Sequence, residues 1–177
     1  KVYPDKIVKI EKEFNSIVKD ELTARYLQES DRKFFNDSSR ICIDKIKIDF
    51  PEKFLKKWLK SNIKKEFTEK EFDTEYSNYL KYLSWQLIEN TICKENDIKV
   101  TDDKLKEFTR KNVLQQMKNY GGVNIEAKEI DSIVTNILKN EKEAEKMMNE
   151  VILIELVSYF KSNMKVNKKS ITLKDFI

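Results

Sequence analysis

A chain of 177 residues with 2 Gly and 2 Pro lacks the tight turns of a sheet protein, since average usage would give about twelve and nine. One nearly all-helical domain with few connections is the default. There is no His, which excludes Ser-His-Asp and Cys-His catalysis and His-ligated metal, and no cofactor is expected. The net charge of +4 comes from 35 basic and 31 acidic residues that are interspersed, so the basic stripe of a nucleic-acid binder is missing. The small clusters Lys56-Lys57, Lys64-Lys65 and Lys168-Lys169 read as solvated surface.

Pro4 suits the first turn of a helix. Ile7, Ile10, Phe14, Ile17, Val18 and Leu22 then recur at three- and four-residue steps, an amphipathic signature. Tyr26, Leu27, Phe34 and Phe35 extend it, and the spacing predicts one long helix that passes through Asn36-Asp37-Ser38-Ser39 to about Lys45. Ile46–Phe50 is a short alternating connector that meets Pro51. Pro51 opens a helix with Glu52 in its first turn and Phe54, Leu55, Trp58, Leu59 and Ile63 as its apolar face.

Thr68-Glu69-Lys70-Glu71 is a capping-box pattern. The helix it starts carries the cleanest stripe in the chain: Phe72, Tyr76, Tyr79, Leu80, Leu83, Leu87, Ile88 and Ile92, ending at Glu95-Asn96-Asp97. Ile98–Val100 is a second connector. Thr101-Asp102-Asp103 opens a helix with Leu105, Phe108, Val113, Leu114 and Met117 at its apolar positions, and Tyr120-Gly121-Gly122 is read as its stop. A short helix with Ile125, Ile130, Ile133, Val134, Ile137 and Leu138 follows.

The stretch from Asn140 to Met164 is the most apolar of all. Met148, Ile152, Leu156 and Tyr159 form one row, Met147, Val151 and Ile154 a second, and Leu153, Val157 and Phe160 a third. A helix apolar on most of its circumference is expected to be surrounded. Its length of roughly 35 Å favours an elongated protein. Val166–Ile171 reads as a third connector, with Thr172–Phe176 able to begin another helix.

The segment Lys45–Leu55 resembles Asn96–Leu105, with a fainter copy in Asn163–Val166 and Ile171–Leu173. Residues 1–48 then form a base helix, 49–98 and 99–165 two helical-hairpin arms, and 166–177 a C-terminal segment of a single domain. A cleft between the arms, lined with aromatic and Met side chains, would hold apolar chain segments without demanding one shape. Cys42 and Cys93 sit among Ile residues and read as reduced, buried packing thiols, with a disulfide between them left open. No apolar run approaches the ~20 residues of a membrane span. No signal peptide is visible, and a start on Lys1 rather than Met points to a piece of something longer.

The order of segments resembles the C-terminal chaperone domain of trigger factor, particularly the divergent Bacteroidetes-type sequences. The residues that carry it are Phe50-Pro51-Glu52-Lys53-Phe54-Leu55 with Trp58-Leu59, then Leu83-Ser84-Trp85-Gln86-Leu87-Ile88. Asn96-Asp97-Ile98-Lys99-Val100-Thr101, Tyr120-Gly121, Val166 and Thr172-Leu173-Lys174-Asp175-Phe176 complete the set, which spans nearly the whole chain.

The resemblance implies an all-α, two-armed fold similar to the peptide-binding part of SurA-like chaperones. It also implies an ATP-independent, cytoplasmic activity that cradles unfolded or nascent polypeptides. The ribosome-docking signature Gly-Phe-Arg-x-Gly-x-x-Pro is not in this sequence, and neither is a strand-rich prolyl-isomerase segment. Ribosome binding and isomerase activity are therefore not carried over to these residues, and the chain itself is not expected to be an enzyme. Client-binding candidates are Phe34, Phe35, Trp58, Trp85, Met117, Tyr120, Met147 and Met148. A helical adaptor that binds one defined protein partner is the competing reading. No nucleic-acid or membrane partner is expected, and homodimer formation is left open.

Overall fold

The computed structural model describes residues 11–63, 68–119 and 126–172. They form α1 (Glu11–Lys45), α2 (Glu52–Asn62), α3 (Glu69–Glu95), α4 (Asp102–Asn119), α5 (Ala127–Lys139) and α6 (Glu141–Asn163). No strand occurs among the described residues, so the chain is all-α as expected. The connectors at 46–50, 98–100 and 166–171 are irregular chain.

Helix limits follow from local chemistry. α1 runs through Asn36-Asp37-Ser38-Ser39 because Asp37 and Ser39 bond within the helix instead of breaking it. Asp37 accepts from Lys33 at 3.2 Å and from Arg40 at 3.1 Å, and the Ser39 hydroxyl donates to the Asn36 carbonyl. Pro51 stands at the N-cap of α2. The capping box of α3 is present in both directions: the Glu71 N–H donates to Thr68 Oγ1, and the Thr68 N–H donates to Glu71 Oε2 at 2.9 Å. α3 ends with Asp97 at φ 52 and the Ile98 N–H on the Cys93 carbonyl, the bond pattern of a helix stop that glycine usually occupies. At the start of α4, Thr101 Oγ1 accepts the Lys104 N–H at 3.3 Å. The stop expected at Tyr120-Gly121-Gly122, and most of the helix start expected after Thr172, lie outside the described residues.

One residue makes the corner between α5 and α6. Asn140 is the C-cap of α5 and the N-cap of α6. Its N–H donates to the Ile137 carbonyl, and its side-chain oxygen accepts from the N–H groups of Lys142 and Glu143. Three of the orphan groups that two helix ends create are satisfied here without a linker.

The chain divides into two compact units, Glu29–Lys99 and Lys1–Gln28 with Val100–Ile177. The division falls inside α1, which is one continuous helix. The core of Glu29–Lys99 gathers Leu55, Leu59, Phe72 and Tyr76, with Phe50, Ile63, Tyr79, Leu80 and Leu83 packed on them. In the other unit Val113, Ile130 and Val134 pack with Met117, Ile133, Ile137 and Leu138.

α4 and α6 run antiparallel. Lys104 pairs with Glu155 at 2.7 Å, and eight residues further along α4 Asn112 reaches Met147, eight residues back along α6. Arg110 pairs with Asp131 of α5. Thr109, fully buried, satisfies its hydroxyl on the Leu105 carbonyl at 2.7 Å.

The structure corrects several expectations. α6 is buried on two faces, at Val151 and at Leu156 with Phe160, which five residues separate by roughly 140° around the helix. It is not enclosed all round, because Met148 is 42% and Ile154 49% exposed. Phe14, Leu22 and Tyr26 of the α1 stripe are exposed, and so is Leu114 of α4. Phe54 lies off the buried face of α2, at 62% exposure. Leu87 of the α3 stripe is exposed as well, while Ile88 beside it is buried. Cys42 and Cys93 are free and half-buried instead of buried. Burial still pushes both thiols above their ordinary value.

Candidate functional site

The α2–α3 pair presents two unlike sides. Lys56 lies over the Tyr76 ring at 5.0 Å, and one turn later Lys60 lies over the Phe72 ring at 4.7 Å. A step forward on α2 matches a step back on α3, so the helices are antiparallel. On this side the lysine stems and ammonium groups cover the aromatic faces.

The opposite side is open. Trp58 stacks on Tyr79 at 5.8 Å between ring centroids, yet keeps 43% of its surface exposed. In the antiparallel register Phe54, one turn before Trp58, stands opposite the turn of Tyr82 and Leu83. Tyr82 is 58% exposed and accepts a hydrogen bond from Gln86 at 2.6 Å. Phe54, Trp58, Tyr79 and Tyr82 thus form an aromatic strip on two helices whose far faces are fixed by the buried Leu55, Leu59, Phe72 and Tyr76.

Further along α3, Trp85 meets Phe35 of α1 edge to face at 5.3 Å. The turns beside this contact bury Ser84, Ile88 and Ser38. Burial raises the Glu89 carboxyl above the usual range, and a hydrogen bond with Trp85 opposes the shift. Glu71, held by its bonds to Thr68, is shifted down.

The sequence candidates fall in separate places. Phe35 and Trp85 touch, with Phe34 half-buried beside Phe35. Trp58 joins Tyr79 instead of another candidate. Met147 is half-buried against Asn112, and Met148 is exposed one position along α6. Met117 is part of the α4–α5 core. Tyr120 lies outside the described residues.

The residues that sequence reasoning missed are Phe54, Tyr79 and Tyr82. Helical spacing alone places Phe54 and Tyr79 on apolar stripes. The available signal was angular: Phe54 and Trp58 are four apart on one edge of the α2 face, displaced from the Leu55–Leu59 line.

Among the described residues no group of three or more His, Cys, Asp or Glu could hold a metal ion. None of the described helices is long and apolar enough to cross a membrane. No curated protein and no solved structure matches the chain. The family described as probable trigger factor, C-terminal domain, matches residues 30–177, which include all of α2 to α6 and the second half of α1. With the all-helical fold and this match over most of its length, the chain belongs to the trigger factor C-terminal domain family.

Proposed function

We propose that this domain binds exposed apolar segments of unfolded or nascent polypeptides, without ATP, and so assists their folding. The observation that carries the reading is the open aromatic strip on α2 and α3, in a chain that belongs to a chaperone-related family. Large aromatic side chains on packed helices present apolar area at little ordering cost, and they accept partners of varied shape. The exposed Met148 on α6 supplies a more adaptable apolar contact in the other unit.

The test is light scattering from an aggregation-prone protein diluted out of denaturant. A several-fold molar excess of this domain is expected to slow aggregation, and ATP is expected to change nothing. Replacing Phe54, Trp58 and Tyr82 together by Ser should weaken the effect while the helical circular dichroism is retained, because none of the three is buried. A wild-type sample that leaves the scattering trace unchanged would overturn the reading.

A further inference from the structure

We infer that the α2–α3 strip selects apolar segments that carry acidic residues next to their aromatic or aliphatic ones. The inference rests on the holding function above and adds its selectivity. On α2 the exposed aromatic row of Phe54 and Trp58 is bordered on its outer side by a second row, Lys53 and Lys57. At 100° per residue Lys57 lies about 100° from Trp58, and Lys53 the same angle from Phe54, both away from the buried Leu55–Leu59 line.

The four lysines of α2 are not equivalent. Lys56 and Lys60 are engaged over Tyr76 and Phe72, and Lys56 also pairs with Glu52 at 3.8 Å. Lys53 and Lys57 are exposed, and their ammonium groups have neither an ion pair nor a hydrogen bond among the described residues. Their charges are therefore available to a ligand that lies along the aromatic row. Two acids stand on the α3 side of the strip, and neither cancels the pair. Glu89 is half-buried and bonded to Trp85, and Glu75 lies one turn beyond Tyr79, opposite the end of α2. A segment seated on Phe54 and Trp58 meets the lysine row first, so carboxylates flanking its apolar residues gain Coulomb energy there and ammonium groups lose it.

Fluorescence anisotropy tests this with two labelled peptides of identical apolar content, one with Glu and one with Lys between the apolar residues. At low salt the whole chain should bind the acidic peptide about three- to tenfold more tightly, the range of two exposed charge contacts. That preference should fade at about 0.5 M salt. In the K53E/K57E double variant it should reverse, with helical content unchanged.

Equal binding of both peptides, or a preference that survives the charge reversal, overturns the selectivity. If that occurs while aggregation is still suppressed, the holding function stands alone. If the acidic preference and its reversal appear while aggregation is not suppressed, the selectivity stands and the holding function falls. Binding of neither peptide overturns the inference outright.

Discussion

At the residue scale Tyr76 is the least comfortable group in Glu29–Lys99. Its ring is buried between α2 and α3, and its hydroxyl is buried with no hydrogen-bond partner among the described residues. Burial, and secondarily the Glu52 charge, push that hydroxyl above its ordinary value of 10.0. A buried unsatisfied hydroxyl costs about 1–3 kcal/mol of desolvation. Tyr76→Phe removes the polar atom and keeps the ring under Lys56, so it is expected to leave stability unchanged or to raise it by about 1 kcal/mol in urea unfolding.

The pH dependence has a definite sign. A group whose folded value is raised gives stability that is complete below its unfolded value and is lost as pH rises. Tyr76, Cys42 and Cys93 are all raised, and all lie in Glu29–Lys99. That unit should weaken as pH climbs above about 9, and Tyr76→Phe should lessen the loss. An alkaline midpoint that the variant does not move would refute the assignment to Tyr76.

At the scale of elements, Asn140 shows what capping does in a chain almost without glycine. Asn140→Ala removes the acceptor for two N–H groups of α6 and keeps the backbone bond to Ile137. A loss of about 1 kcal/mol is expected in chemical denaturation, and Asn140→Asp should recover most of it because the carboxylate also accepts.

The starts of α3 and α4 are legible for the same reason this corner works: Thr68 and Thr101 accept from N–H groups three residues on, while Pro51 marks the start of α2 through its fixed backbone angle. What was not legible is which edge of a stripe stays open. Trp58 and Phe54 looked like core positions of α2 because periodicity alone cannot fix the rotation of one helix against another. In the structure Leu55 and Leu59 are buried against Phe72 and Tyr76, and Phe54 and Trp58 are left at the margin.

At the scale of the whole chain, helix count and order were readable because few glycines and prolines leave few places to stop. The extent of mutual burial was not, because it depends on partners distant in sequence. Phe14, Leu22 and Tyr26 keep helical spacing and are exposed nonetheless. The division after Gln28 falls inside a helix with no breaker residue at that point, and the family match begins close by, at residue 30.

This division predicts separable stability. Leu59 anchors the core of one unit, and Leu156, with no exposed surface, lies in the other. Replacing either by Ala should cost about 2–5 kcal/mol. Helix α1 connects the units, but a helix can melt from one end at small cost, so it need not transmit the loss. Hydrogen exchange on the full chain should then show Leu59→Ala loosening 29–99, including the second half of α1, while α4, α5 and α6 keep their protection. Leu156→Ala should do the reverse. If either substitution raised exchange equally along the whole chain, the two units would be one cooperative body, and the break inside α1 would have no energetic meaning.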